Sequence, residues 1–260
     1  MKEQVSNQKA KKETILIVED NLEIQESLKE ILIDNYNIHQ AFNGEEGLEI
    51  ACNKSPNLII SDVMMPVMDG IEFSKKLKLH KLTSHIPIII LTAKTSIKDK
   101  MEGFNTGADE YITKPYDEDF LKNRIKNLLN SRKLLKEKFV SDHLLNPKEL
   151  AISSLDQVFL EKLYKALENN LQANNLKAET ISALINMSHS SMYKKIKALT
   201  GLTYIEFIRD YRLSIAKQLI EENGYSVSDA CYKVGYSDRK YFSKLFKKKF
   251  KKNPSEFFKS

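Results

Sequence analysis

Five short β-rich runs constrain the first half of this 260-residue chain more than any other feature. They are Thr14–Val18, Tyr36–Ala41, Leu58–Ser61, Pro87–Thr92 and Glu110–Ile112. Amphipathic stretches separate them. In the first, Ile24, Leu28, Ile31 and Leu32 fall on one helical face. Others run from about Gly44 to Cys52, Gly70 to Leu79, Lys98 to Thr106 and Asp117 to Leu129. Strands alternating with helices predict an α/β doubly wound five-stranded parallel sheet of about 120 residues. In such a sheet ligands bind beyond the carboxyl ends of the strands.

Those ends carry chemistry. The first run finishes in Glu19-Asp20, the third in Asp62 and the fourth in Thr92-Ala93, and the fifth leads into Thr113-Lys114-Pro115. Parallel strands bring three carboxylates, a hydroxyl and an ammonium to one rim. Carboxylates crowded together repel unless a cation joins them. Hard oxygen donors favour Mg²⁺, which bridges readily to a phosphoryl group. A carboxylate can attack phosphorus to form an aspartyl phosphate, and a lysine can stabilise the charge that develops.

The segments ILIVEDN, SDVMMPVMDG, ILTAK and GADEYITKPYD resemble the receiver domain of two-component response regulators over residues 14–130. The resemblance implies that Asp62 accepts phosphate from a histidine kinase. It implies that Glu19, Asp20 and the Met64 carbonyl join Asp62 around Mg²⁺. It further implies that Thr92 and Tyr111 form a switch pair, that Lys114 contacts the phosphoryl group, and that the Lys114-Pro115 bond is cis. The first acidic position is Glu rather than Asp, a variation the family permits.

Charge divides the chain. Residues 1–130 hold 17 Lys/Arg against 21 Asp/Glu, a net of −4, and residues 131–260 hold 24 against 14, a net of +10. A basic half suits a polyanion, of which nucleic acid is the usual case. From Leu155 onward the pattern is helical and repeats. Ile181-Ser182, Ile185-Asn186-Met187-Ser188, Met192 and Ile196 are echoed by Ala230-Cys231, Val234-Gly235-Tyr236-Ser237, Phe242 and Phe246. Each set reads as helix, tight turn, helix. Asn186 and Gly235 sit where positive φ is needed. Ser188 and either Ser237 or Asp238 can cap the helix that follows. Between the units, Thr203–Glu222 forms one helix of about 30 Å, close to the ~34 Å of one DNA turn.

MSHSSMYKKIKALTG, VSDACYKVGYSDRKYFSKLFKKKF and NPSEFF resemble the AraC-type DNA-binding domain over roughly residues 155–258. The resemblance implies a seven-helix binder with two helix-turn-helix units. Asn186 stands where Gly is common, and Lys251 where Gly usually follows the second recognition helix. Helical period points Ser190, Tyr193, Lys194 and Lys197 outward in the first unit, and Arg239, Lys240, Ser243, Lys244 and Lys247 in the second. Arg and Lys pair with guanine edges, and Ser reaches bases or phosphates. Lys248, Lys249, Lys251 and Lys252 are expected to touch phosphate or solvent. His189 is expected to start a helix, and Tyr241, Phe250, Phe257 and Phe258 to join the core.

Two cysteines, Cys52 and Cys231, make neither a disulfide framework nor a zinc site and are expected to be buried. No apolar run approaches the ~18 residues that cross a bilayer. Residues 1–13 are expected to form a disordered tail and 131–154 a linker, with receiver at 14–130 and DNA-binding domain at 155–260. The last receiver helix continues through Leu134 and Leu135, as a dimerisation or transmission element or as a solvated connection. The expectation is a cytoplasmic DNA-binding response regulator, not an enzyme. Its expected cofactor is Mg²⁺. Its expected partners are DNA, a histidine kinase and RNA polymerase, with a homodimer among its states. The alternative is the C-terminal part of a hybrid sensor kinase-regulator. A phosphotransfer enzyme leaves the basic tandem units without a purpose, and a small-molecule sensor leaves the acidic rim without one.

Overall fold

The computed structural model describes residues 12–93, 107–141, 151–173 and 176–258. The chain divides into two compact units between Arg132 and Lys133.

The first unit is a parallel five-stranded sheet, β1 (Thr14–Val18), β2 (Asn37–Ala41), β3 (Leu58–Asp62), β4 (Ile88–Ala93) and β5 (Glu110–Lys114), in the order β2-β1-β3-β4-β5. Burial on both faces explains the near-continuous apolar runs. Ile15, Ile17, Leu58, Ile60, Ile89 and Leu91 pack with Leu28 and Leu32 of α1 (Leu22–Leu32) and with Leu121, Ile125 and Leu129 of α4 (Glu118–Ser141). Leu16, Val18, Ile59, Ile88 and Ile90 pack against Ala51 of α2 (Gly44–Lys54) and Phe73 and Leu77 of α3 (Gly70–Leu79). Asn21, Asn43 and Asp69 cap α1, α2 and α3 by accepting backbone N–H bonds, which satisfies donors that a helix start leaves open.

β5 runs two residues beyond the expected Ile112, because Thr113 and Lys114 stay in register with Thr92 and Ala93. The amphipathic stretch expected at Lys98 to Thr106 lies outside the described residues. So do residues 1–11 of the expected tail. Lys12 and Glu13, also assigned to that tail, are held: their carbonyl oxygens accept Asn37 Nδ2 at 3.1 Å and Asn37 N at 2.9 Å. Helix α4 continues to Ser141, through the first part of the expected linker. Residues 142–150 lie outside the described set. Cys52 is half-exposed rather than buried, with its sulfur 3.6 Å from His80 Nδ1, whereas Cys231 is buried as expected.

The second unit contains, among the described residues, α5 (Ser154–Glu168), α6 (Ala178–Leu184), α7 (His189–Thr200), α8 (Tyr204–Glu221), α9 (Val227–Lys233), α10 (Arg239–Phe250) and a 3-10 turn at Pro254–Phe257. Helix α8 serves two cores. Its Phe207 and Ile208 pack with Leu160, Leu163, Ile181, Met192 and Ile196. Its Leu213, Ala216 and Ile220 pack with Cys231, Val234, Phe242 and Phe246. Thr203 and Glu206 form a reciprocal capping box at its start.

Candidate functional site

The rim of the first unit is built at the point where strand order reverses. β1 lies between β2 and β3, and the chain leaves β1 for α1 on one face of the sheet and β3 for α3 on the other, which opens a crevice at their carboxyl ends. Glu19 and Asp20 follow β1, and Asp62 ends β3. One carboxylate oxygen from each of the three lies within 4.8 Å of the others. Lys114, at the end of β5, reaches across: its Nζ is 2.9 Å from Glu19 Oε2 and 2.5 Å from Asp62 Oδ1. Met64 N donates to Asp62 Oδ2 at 2.8 Å.

Electrostatics follow from burial. Desolvation pushes the Glu19 carboxyl above its ordinary pKa, and the Lys114 contact offsets this only in part. Burial alone would lower the Lys114 ammonium, but hydrogen bonds and charge from Asp62 and Glu19 hold it above the usual lysine value. Three carboxylates and one ammonium leave the pocket with surplus negative charge, and every donor on the acidic side is a hard oxygen. That set fits a small divalent cation.

Local sequence shapes the rim. Gln25 of α1 donates from Nε2 to the Glu19 and Ala41 carbonyls at 3.0 and 2.8 Å, fixing the end of β1. Gly70 is required because a Cβ there would lie 1.9 Å from the Asp62 carbonyl oxygen. The Thr92 hydroxyl is buried at the end of β4 and donates to the Ala93 carbonyl at 3.3 Å. Tyr111 is half-buried on β5, beside Ile90. Met64 is 65% exposed, and the Lys114-Pro115 bond is cis. The rim thus brings together Glu19, Asp20, Asp62 and Lys114, with Met64 two residues beyond Asp62 and bonded to its carboxylate through the backbone N–H.

In the second unit the two turns match. Asn186 and Gly235 hold φ of 54° and 81°, and the next residues, Met187 and Tyr236, donate to Ser182 and Cys231 carbonyls, both at 3.0 Å. Ser188 caps α7. Asp238, not Ser237, caps α10 by accepting from Lys240 N and Tyr241 N. Lys251 adopts φ 60° as the C-cap of α10.

Ser190, Lys194, Lys197, Arg239, Lys240, Lys244 and Lys247 are exposed, and Ser243 is half-exposed. Tyr193 is only half-exposed: its ring packs edge-on against Tyr204 and His189, with centroids 5.3 and 4.3 Å away. Lys197 Nζ also bonds the Gly201 carbonyl at the end of its own helix. His189 is the first residue of α7, as expected.

Two expectations fail here. Lys249 does not face phosphate or solvent. Its side chain is 8% exposed and its Nζ meets Asp210 Oδ2 at 3.1 Å, the Asp210 carbonyl at 2.8 Å and Ser214 Oγ at 3.1 Å. Tyr241 and Phe258 are not core: they are 55% and 48% exposed, whereas Phe250 and Phe257 do pack against the second core. Sequence reasoning also missed Lys195, buried and paired with Asp156 of α5. The signal was present. Lys195 follows Met192 by three positions, and Lys249 follows Phe246 by three, which puts both on the inner face.

A family model described as response regulator receiver domain matches residues 15–126, and one described as helix-turn-helix domain matches residues 181–260. Histidine kinase P4 of Formosa agariphila is 43% identical over 246 residues, which make up 95% of this chain and 18% of that protein. The chain therefore spans under a fifth of that relative's length. Transcriptional regulatory protein SrrA of Staphylococcus aureus is 32% identical over 225 residues, 85% of this chain and 90% of its own. A solved receiver domain of a signal transduction histidine kinase from Syntrophus aciditrophicus is 38% identical, covering 46% of this chain and 91% of its own with a TM-score of 0.44. A receiver domain joined to a helix-turn-helix domain defines a DNA-binding regulator. The chain belongs to the response regulators, in the class whose output domain is AraC-type.

Proposed function

We propose that Asp62 takes a phosphoryl group from a phosphohistidine of a partner kinase, and that this controls sequence-specific promoter binding by the two helix-turn-helix units. The observation that carries the reading is Lys114 Nζ bridging Asp62 and Glu19 at the sheet's switch point. An Asp62 carboxylate oxygen attacks phosphorus. The P–N bond breaks as the P–O bond forms, and the imidazole nitrogen keeps the electron pair and takes a proton. Lys114 already sits against the nucleophile and neutralises the incoming phosphoryl oxygens. The Thr92 hydroxyl then turns to a phosphoryl oxygen, and Tyr111 moves with it as the second half of the switch.

Glu19, Asp20, Asp62 and the Met64 carbonyl would hold Mg²⁺, which when bound offsets charge on the transferring group. Ser190, Tyr193, Lys194 and Lys197 in α7, and Arg239, Lys240, Ser243, Lys244 and Lys247 in α10, contact DNA. Helix α8, at 18 residues, is about 27 Å long, which suits recognition helices set one DNA turn apart. The regulator acts in the cytoplasm, with RNA polymerase and a second copy of the chain as partners. No helix among the described residues is long and apolar enough to cross a membrane.

The test is incubation with acetyl phosphate and Mg²⁺ followed by intact mass and peptide mapping. One phosphoryl adduct on Asp62, absent from Asp62→Asn, is the expected result; an adduct elsewhere or none contradicts it. A second reading makes these domains the C-terminal end of a hybrid sensor-regulator. The likeness to a histidine kinase over 95% of this chain favours it. Immunoblotting the native protein for size separates the two.

A further inference from the structure

Each recognition helix carries one lysine turned away from its exposed face. Lys195 of α7 is 1% exposed and pairs with Asp156, whose side chain is fully buried. Asp156 also accepts Ser153 N at 3.1 Å, in the capping box that starts α5. Lys249 of α10 pairs with Asp210 of α8 and with Ser214 one turn further on. In both cases an ammonium on the recognition helix is held by a carboxylate on an earlier helix. Burial lowers the pKa of both lysines, and the aspartates only partly offset it.

We propose that Lys195 and Lys249 are positioning residues: the Lys195–Asp156 and Lys249–Asp210 pairs set the orientation of the two recognition helices against DNA, and neither lysine contacts phosphate. The inference rests on the DNA-binding reading given above. Its physical basis is directional. An apolar contact lets a helix roll or slide by fractions of an ångström, whereas a hydrogen-bonded ion pair fixes one atom against another. Base readout depends on that placement, because bidentate contacts tolerate little displacement. Backbone neutralisation does not.

Charge alone predicts the opposite outcome for the partner. If Asp210 were only a carboxylate near DNA, Asp210→Asn would remove repulsion and tighten binding. As a positioning partner, its loss weakens specific binding.

The experiment measures anisotropy of the full chain across a salt series. One probe is a duplex enriched by wild type from a random-sequence pool; the other is a shuffled duplex of equal composition. Lys249→Met and Asp210→Asn are each expected to lower the specific-to-shuffled affinity ratio by about tenfold, the size of losing one base contact. The slope of log affinity on log salt stays at the wild-type value. Lys247→Ala, the comparator on the exposed face, shallows that slope by about 0.9. For the fully buried pair, the joint variant Asp156→Leu with Lys195→Met avoids a lone buried charge. It is expected to fold but melt below wild type, because Asp156 also accepts Ser153 N in the capping box of α5, and to lose the ratio while folded. A slope change in Lys249→Met like that of Lys247→Ala, tighter binding by Asp210→Asn, or a wild-type ratio in the joint variant overturns the inference. A wild-type chain that enriches no sequence overturns the DNA-binding reading itself, a distinguishable failure.

Discussion

The ammonium of Lys114 lies 2.5 Å from Asp62 Oδ1 and 2.9 Å from Glu19 Oε2, joining carboxylates from two different strands. It partly neutralises a rim that would otherwise hold unbalanced negative charge beneath a buried Glu19.

Lys114→Met removes that compensation. The variant is expected to be less stable by about 1–3 kcal/mol in urea unfolding, the range for stranding polar or charged groups with partial solvent access. Added Mg²⁺ should stabilise it more than it stabilises wild type, because the cation then replaces the missing positive charge. An unchanged midpoint, or equal Mg²⁺ effects, argues against the coupling.

Gly70→Ala places a Cβ 1.9 Å from the Asp62 carbonyl oxygen, a backbone atom that cannot step aside. A loss of about 3 kcal/mol follows from forced overpacking, together with slower phosphorylation of Asp62. A variant that folds and phosphorylates as wild type does would place the loop elsewhere.

At the other end of the chain, Lys251 caps α10 with φ 60°, a conformation that disfavours a residue bearing a Cβ. Lys251→Gly should therefore stabilise the second unit by about 0.5–1 kcal/mol in thermal unfolding. Gly235→Ala tests the converse. With φ 81° and a Cβ 2.7 Å from the Leu171 carbonyl oxygen, it should lower stability by at least about 1 kcal/mol.

Thiol chemistry separates the two cysteines. Cys52 is half-exposed beside His80, and Cys231 is buried in the second core. Under native conditions a disulfide-exchange reagent should modify Cys52 quickly and Cys231 only on unfolding. Equal rates would contradict the burial pattern.

Most of the sheet and its rim could be read directly. Apolar runs ending in Glu19-Asp20, Asp62, Thr92 and Lys114 define parallel strands with one chemical edge, and strand pairing carries those ends together. The turns at Asn186 and Gly235 were also readable, because few residues take positive φ cheaply. Lysines were harder. Lys249 sits in a run of basic residues, and composition there suggests a solvated face; helical period, counted from Phe242 and Phe246, places it inward. Cys52 misled for the opposite reason: it lies on the apolar side of its helical pattern, yet α3 and the turn at His80 leave its sulfur half-covered. Tyr241 precedes Phe242, and one step of about 100° turns an apparently core aromatic outward.

The most direct test is DNA binding by the full chain with and without acetyl phosphate and Mg²⁺, comparing wild type with Asp62→Ala on the enriched duplex. The account predicts that the donor tightens binding by wild type and leaves Asp62→Ala unchanged. Equal binding by both proteins in both conditions would contradict it, because DNA binding would then be independent of the receiver.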